Sequence, residues 1–268
     1  MHVQETEERQ RPDAPLLLVV DYPGRRSAGH LADLGLEQAG FAVEYLMTAP
    51  LPTAPRARQY ARTLLARRGS ATSRVAGVLA FCMAGHIAQE VAALLRETGE
   101  PPVPLVLFDS GPSVAEDLED ECRQALSLQG GSRLADSVGR DTLSGKALRE
   151  RPEASLAAVR GALVEFAVSA YCEDGGDRAE ALETVLPLVD GFTDWLAHLT
   201  AAFNAASPGW GGDVLHIVSR DHTVTEPWPG ARRTTTVRID CARDRLLRSE
   251  AALRAVTSLI PSGTAPRR

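Results

Sequence analysis

Short apolar runs alternate with longer amphipathic stretches along the first 108 residues of the chain, and this alternation narrows its possible folds more than any other feature. Four runs rich in Leu, Val and Phe fit buried strands, at 16–20, 41–46, 75–81 and 103–108. The stretches between them have the apolar spacing of helices, at 28–39, 56–67 and 85–96. Strands that alternate with helices predict an α/β fold with a mostly parallel central sheet flanked by helices.

The alternation stops in the middle of the chain. Residues 114–206 show only helical periodicity, strand-like runs return at 214–218 and 235–239, and a last amphipathic stretch covers 245–260. A long helical segment inside an alternating pattern is typical of an inserted lid. We therefore predict one domain at 15–260 with a helical lid insertion at 112–208, a disordered tail at 1–14 and a C-terminal tail at 261–268.

Composition and charge argue against several functions. The net charge is −6, and Lys146 is the only lysine, so we expect no nucleic-acid partner. The N-terminus is polar and no apolar run approaches the roughly 20 residues that span a bilayer, which predicts a cytoplasmic protein without a membrane partner. The four cysteines are scattered without CxxC pairs, so the sequence favours neither a metal site nor a disulfide framework, and no cofactor is expected.

Cys82 stands between a predicted strand and a predicted helix, within the segment AFCMAGH at 80–86. A nucleophile elbow holds its central residue in a strained turn, so the residues two before and two after it must be small. Ala80 and Ala84 satisfy this requirement, and Gly85 adds further room. The start of the following helix stabilises negative charge and favours a thiolate. We therefore predict that Cys82 is a nucleophile, whereas His86 lies one turn into the helix and is predicted to point away.

The segment LAFCMAGHIAQEVA at 79–92 resembles the elbow of the thioesterases of polyketide and nonribosomal peptide assembly lines, with Cys in place of the usual Ser. The segment VPLVLFDS at 103–110 resembles that family's next strand, whose closing aspartate, here Asp109, is the acid of the catalytic triad. Tyr22, Pro23 and Gly24 stand where the family has its oxyanion loop. The resemblance implies an α/β-hydrolase fold and an oxyanion hole made by the backbone of Met83 and Gly24. It also implies, as partner, an acyl or peptidyl carrier protein with a phosphopantetheine-tethered substrate.

The histidine that completes the triad in that family is absent from the matching segment, DCARDRLL at 240–247. The matching position is Arg245, which we expect to pair with Asp109 and to favour a thiolate on Cys82. His222, which follows the strand at 214–218, is the alternative base. Because arginine does not accept a proton, efficient hydrolysis is doubtful.

An acyl group that water does not remove must pass to another acceptor. Cysteine-bearing members of the family include Dieckmann cyclases, which release a chain as a tetramic acid or a pyridone by carbon attack on the thioester. The resemblance therefore favours a cyclase, and two alternatives stay open: a cysteine shuttle of acyl or aminoacyl groups between carrier proteins, and a non-catalytic acyl-binding relative. Apolar side chains of the lid are predicted to line a channel for the chain; they are Phe166, Val189, Phe192, Trp195 and Leu199.

Overall fold

The computed structural model describes residues 14–24, 28–68, 74–112, 114–173, 175–224 and 227–261. Of the two predicted tails, only residues 14 and 261 fall within these ranges, and the rest lies outside the described residues.

Six strands form one sheet in the order β2-β1-β3-β4-β5-β6, and all neighbouring strands run parallel. The strands are β1 (Leu16–Val20), β2 (Ala42–Tyr45), β3 (Val75–Phe81), β4 (Leu105–Phe108), β5 (Asp213–Val218) and β6 (Arg233–Arg238). β1 and β4 are buried along their whole length, as expected for a parallel sheet that is covered on both faces. The prediction of an α/β fold with a mostly parallel sheet is confirmed.

Helices cover the two faces of the sheet. Helices α1 (Ala57–Ala66) and α2 (Ala84–Glu97) bury residues such as Tyr60 and Ile87 in the core on one face. Helices α7 (Arg243–Leu246) and α8 (Glu250–Leu259) bury Leu246 and Val256 in the core on the other face. Apolar side chains therefore stabilise the sheet from both sides.

Four helices fill the segment between β4 and β5 and form the predicted lid. They are α3 (Ala115–Val138), α4 (Gly145–Glu150), α5 (Pro152–Glu173) and α6 (Arg178–Phe203). They have a core of their own, which includes Leu126, Leu163 and Leu196. The last turn of α6 contributes to both cores, because Ala201 and Ala202 pack into the core beside α2 and Phe203 packs into that of the lid. The lid is thus anchored to the sheet through the end of α6.

Helix α5 is long and apolar enough to cross a membrane, by length and composition alone, with a mean hydropathy of 1.3 over its most apolar window. This is weak evidence, because core helices of soluble proteins have the same composition. Here α5 packs against α6, and Arg160 on α5 binds Asp190 on α6 at 2.9 Å.

Two helix predictions were wrong. Residues 28–39 contain only a 3-10 turn, Leu31–Leu34, because Gly35 has a left-handed backbone with φ of 74° and ends it. The carboxylate of Asp21 holds the start of this turn by accepting the N–H of Leu31 at 2.8 Å. The predicted helix at 245–260 is divided into α7 and α8, because Ser249 is extended and both Leu246 and Leu247 are fully buried at the break.

Candidate active site

The loops after β1 and β3 lie at the point where the strand order reverses, since β2 and β3 lie on opposite sides of β1. In open parallel sheets, ligands bind at this point, outside the carboxyl ends of the strands. A cavity of about 500 Å³ lies here. Its lining from the sheet side includes Tyr22, Gly24, Phe81, Cys82, Met83 and Arg243, and its lining from the lid includes Glu121, Trp195, His198 and Leu199.

The backbone of Cys82 is held in the left-handed region, with φ of 57°. This conformation costs a residue other than glycine about 1–3 kcal/mol, so its surroundings must maintain it. The N–H of Cys82 donates to the carbonyl of Phe108 at 2.8 Å, and its own carbonyl accepts the hydroxyl of Ser110 at 2.8 Å. The strained strand-turn-helix geometry predicted for residues 80–86 is present, and β4 with the loop after it holds it in place.

Gly85 is required where α2 passes the end of β4. A Cβ atom at this position would lie 2.8 Å from the Oγ of Ser110 and 3.3 Å from the Cδ2 of Leu107. Since the Ser110 hydroxyl binds the carbonyl of Cys82, a larger residue at position 85 would displace a group that supports the elbow. The absence of a side chain at position 85 therefore has a direct steric reason.

Arg243 is the cation next to Cys82. Its Nη2 donates a hydrogen bond to the Sγ of Cys82 at 3.0 Å, and its guanidinium carbon lies 5.2 Å from the centre of the Phe81 ring. Arginine stays protonated at any ordinary pH, so this contact stabilises negative charge on the sulfur without accepting a proton.

The expectation that Arg245 contacts Cys82 and Asp109 was wrong. Arg245 is exposed on α7, and within the described residues it makes neither an ion pair with Asp109 nor a contact with Cys82. A helix turns by roughly 100° per residue, so a side chain two positions after Arg243 points to nearly the opposite side. Because α7 begins at Arg243, the first arginine of the segment faces the cavity and the second does not.

Asp109 directly follows β4, with φ of 42°, and it is 1% exposed. Its Oδ1 accepts the backbone N–H of Ser219 at 2.7 Å, and its Oδ2 accepts the Ser219 hydroxyl at 2.8 Å. Ser219 follows β5, so this carboxylate joins the carboxyl ends of two neighbouring strands. The structure thus places Asp109 at the expected edge of the sheet, bonded to Ser219 instead of to a catalytic base.

His222 lies beside Asp109 and away from the cavity. Its Nδ1 is 3.9 Å from the Oδ1 of Asp109, and its Nε2 donates to the carbonyl of Ser110 at 3.0 Å. Among the described residues that line the cavity of Cys82, His222 does not occur. The structure therefore brings His222 to Asp109, and the expectation that it also faces Cys82 was wrong.

Burial dominates the surroundings of two other described cysteines. Burial raises the pKa of the Cys241 thiol, and the charge of Asp109 raises it further. Burial raises the pKa of Cys122 to about 12, whereas Cys172 is simply exposed on α5. Within the described ranges, no group of three or more His, Cys, Asp or Glu residues is arranged to hold a metal ion.

The backbone of the predicted oxyanion hole is close to Cys82. Met83 and Gly24 both line the cavity, and Met83 begins the turn into α2. The ring of Tyr22 lines the same cavity, and its pKa is raised to about 12 by burial and by the charge of Asp194. The Tyr22 phenol is therefore neutral at physiological pH and keeps its proton as a hydrogen-bond donor.

Part of the predicted channel is present. Trp195 and Leu199 line the cavity, whereas the other predicted side chains pack in the core of the lid; these are Phe166, Val189 and Phe192. Sequence reasoning missed His198, which lines the same cavity and is 4% exposed. Its spacing from Trp195 and Leu199 could have indicated this position, because residues 195, 198 and 199 share one face of a helix.

No protein-family model and no curated protein sequence matches this chain. Solved structures do match it. The Vlm2 thioesterase domain carrying 2,3-diaminopropionic acid, bound with a dodecadepsipeptide, has a TM-score of 0.52 at 15% identity, over 92% of this chain and 94% of that chain. RedJ, the thioesterase of the prodiginine pathway in Streptomyces coelicolor, has a TM-score of 0.52 at 14% identity when a PEG molecule is bound in its active site, over 97% of this chain and 96% of that chain.

A third match is the four-domain nonribosomal peptide synthetase AB3403, bound to AMP and glycine, with a TM-score of 0.55 at 16% identity. The match covers 93% of this chain and 19% of the synthetase, so this chain spans about a fifth of that protein. At such low identity these likenesses concern the fold. Together with the six-stranded parallel sheet and the inserted helices, they identify the fold of this chain as that of the α/β-hydrolases.

Proposed function

We propose that this protein is a thioesterase-like enzyme of natural-product biosynthesis. In this proposal it takes an acyl chain from a carrier-protein thioester onto the sulfur of Cys82 and releases it by Dieckmann cyclisation, as a tetramic acid or a pyridone. The observation that carries the proposal is the contact of 3.0 Å between Arg243 and the sulfur of a cysteine held at φ of 57° above a cavity. A strained, cation-paired cysteine at this point in the fold favours a nucleophile over a residue of the core.

The cation explains how sulfur chemistry proceeds without a triad histidine. The thiolate attacks the thioester carbonyl, the carbonyl oxygen takes up negative charge, and the pantetheine thiolate leaves and takes a proton from solvent. In this scheme Met83 and Gly24 donate backbone N–H groups to the oxyanion. Arg243 takes the electrostatic role that the sequence suggested for Arg245, and Asp109 supports the site by fixing the ends of β4 and β5.

Hydrolysis is disfavoured because Arg243, the group that contacts the sulfur, cannot activate water beside the acyl carbonyl. The acyl group then stays on sulfur until a better nucleophile attacks it. A carbon between two carbonyls of a β-ketoamide is acidic and belongs to the acyl chain itself. Its effective concentration at the thioester is therefore high. The second step forms a carbon–carbon bond, breaks the carbon–sulfur bond and returns Cys82 as a thiolate beside Arg243.

The cavity and the similar structures support a long acyl substrate and a carrier partner. A volume of about 500 Å³ accepts a group of drug-like size, and Trp195 and Leu199 give it an apolar wall. The Vlm2 domain, which has a similar fold, binds a dodecadepsipeptide. We propose that a carrier protein delivers the chain on its phosphopantetheine arm, in the cytoplasm.

Mass spectrometry of the intact protein tests the covalent step. We expect an adduct after mixing with the N-acetylcysteamine thioester of N-acetoacetylglycine, and no adduct with Cys82→Ala. Cys172→Ser is the matched control, because Cys172 is an exposed cysteine outside the cavity. Failure of the wild-type protein to form an adduct with this donor or with acylated carrier protein would overturn the covalent mechanism and favour the non-catalytic acyl-binding relative.

Product analysis then identifies the acceptor. A cyclised tetramic acid supports Dieckmann release, and an acyl group on a second carrier protein supports the shuttle. Free N-acetoacetylglycine would contradict the argument that the site does not activate water.

A further inference from the structure

We propose that His198, on lid helix α6, is the base that removes the carbon-bound proton in the cyclisation step. This inference rests on the proposed function, because it assigns a second residue to the same site. It fills a chemical gap: the β-ketoamide carbon must lose a proton before it attacks, and Arg243 cannot take it.

The cavity itself selects His198 among the histidines. Within the described part of the chain, it is the only histidine that lines the cavity of Cys82. His222 lies beside Asp109, and His86 donates to the carbonyl of Gly111 at 2.8 Å and lines a separate, smaller cavity. His30 lies near Asp21, with its Nδ1 3.5 Å from the carboxylate. The proton acceptor missing from the closing segment of the chain is thus supplied by the lid.

Aromatic contacts hold the imidazole in a defined place. The centre of the His198 ring lies 5.2 Å from that of Tyr22 and 5.8 Å from that of Tyr60. Tyr22 belongs to the loop after β1, which also lines the cavity, and Tyr60 belongs to α1. Ring centres at these distances are within the range of attractive aromatic contacts, so the base stays oriented relative to the elbow.

The acyl chain would lie between Cys82 and His198. Cys82 opens into the cavity from the sheet, and His198 faces it from the lid, together with Trp195 and Leu199 on the same side of α6. An acyl group on the sulfur therefore extends toward the lid, where the carbon between its two carbonyls meets the imidazole.

The protons balance over the cycle. The carbon gives its proton to His198 and attacks the Cys82 thioester, and the sulfur leaves as a thiolate. His198 returns its proton to solvent, which equals the proton that the departing pantetheine thiolate took up in the first step. No oxidant, reductant or metal is needed.

The test follows adduct formation and release separately, with the N-acetylcysteamine thioester of N-acetoacetylglycine as probe. His198→Phe keeps an aromatic ring against Tyr22 and Tyr60 but cannot accept a proton. We expect its adduct to form at the wild-type rate and to persist at least roughly 100-fold longer, which is the usual contribution of a general base. His198→Gln, a smaller polar substitute, should behave in the same way, and added imidazole should restore release in His198→Ala.

The pH profile distinguishes a base from a residue that only positions its neighbours. Release by the wild-type protein should slow toward acidic pH as the imidazole takes up a proton, and this dependence should be absent from both His198→Phe and His198→Gln. His30→Gln, outside the cavity, is the matched control and should release product at the wild-type rate.

Three results would overturn the inference. Release at the wild-type rate by His198→Phe would exclude His198 as the base. Slower formation of the adduct, with an unchanged pH profile of release, would reduce its role to positioning. Absence of any adduct on the wild-type protein would instead refute the proposed function, and the inference with it.

Discussion

Ser219 binds both carboxylate oxygens of Asp109, through its backbone N–H at 2.7 Å and through its hydroxyl at 2.8 Å. The carboxylate is buried, and the two residues follow neighbouring parallel strands. A residue that the resemblance suggests as a catalytic acid is therefore also a link between two strands. Substitutions can separate these roles, because a link contributes to stability and an acid contributes to turnover.

We expect Asp109→Ala to lower the free energy of unfolding by about 2–4 kcal/mol, because it leaves buried donors of Ser219 without an acceptor. Asp109→Asn keeps one acceptor and should lose about 1–2 kcal/mol. Urea denaturation measures both. Ser219→Ala is the control for the hydroxyl bond alone. If Asp109→Asn kept its stability but formed no adduct at Cys82, the main role of Asp109 would be catalytic and not structural.

The contact between Arg243 and Cys82 should govern the reactivity of the sulfur. In a Cys172→Ser background, we expect Arg243→Met to slow alkylation of Cys82 by iodoacetamide about tenfold at neutral pH, because a hydrogen bond to a charged group contributes about 1.5–3 kcal/mol and Arg243 is partly screened by solvent. Arg245→Met is the matched control and should react like the parent. Equal slowing in the two variants would show that net charge matters and that the contact does not.

Replacing glycine with alanine should destabilise the protein at Gly85 and stabilise it at two positions in the lid. We expect Gly85→Ala to cost about 1–3 kcal/mol, because its Cβ would meet the Ser110 hydroxyl and the core is closely packed. Gly161→Ala and Gly191→Ala are matched controls in α5 and α6, with no atom within 4 Å of the added Cβ. They should gain about 0.5–1 kcal/mol from helix propensity. Thermal unfolding of the three variants checks this, and a stable Gly85→Ala would contradict the packing described around the elbow.

Burial of His86 predicts that stability depends on pH. Burial lowers the pKa of His86 in the folded protein, although its bond to the carbonyl of Gly111 opposes this shift. The ordinary pKa of histidine is about 6.5, so below this pH the unfolded chain binds more protons at His86 than the folded protein does. The contribution of neutral His86 to the free energy of unfolding is therefore complete above that pH and is lost as the pH falls. The loss approaches about 1.4 kcal/mol per pH unit for one proton.

In urea denaturation at several pH values, His86→Gln should show a shallower loss of stability below neutral pH than the wild-type protein. The glutamine amide still donates to Gly111, so the comparison isolates the titration. Parallel curves for the two proteins would show that His86 does not titrate on unfolding.

The sequence was sufficient for the centre of the sheet because β1, β3, β4 and β5 each carry their own apolar run. The runs at 16–20 and 75–81 coincide with β1 and β3, and the small residues around Cys82 predicted the turn between β3 and α2. The 3-10 turn at Leu31–Leu34 could not be foreseen, because it depends on a hydrogen bond from Leu31 to Asp21, which lies on the loop after β1. The spacing of apolar residues predicts which face of a helix or strand is buried, and it carries no information on a hydrogen bond between distant residues.

The site was harder to predict for the same reason. Asp109 was found from its place at the end of a strand, but its partner Ser219 lies 110 positions later in the chain. Arg243 and Arg245 are the same residue type and lie two positions apart. The point at which α7 begins decides which of them reaches Cys82. Helical spacing places His198 on one face with Trp195 and Leu199, but what that face meets depends on how α6 lies over the sheet.

The lid leaves and rejoins the sheet between two strands that are directly paired, with Leu105 opposite Val214 and Phe108 opposite Ile217. The register of the sheet therefore does not depend on the lid helices between those strands, the longest of which has 26 residues. Such an insertion can be transplanted or redesigned while the elbow stays in place, and by our proposal it also contributes the base. A chimaera with another lid would then change both the substrate that binds and the acceptor of the acyl group. Exchange of this one segment could therefore diversify the products of the fold.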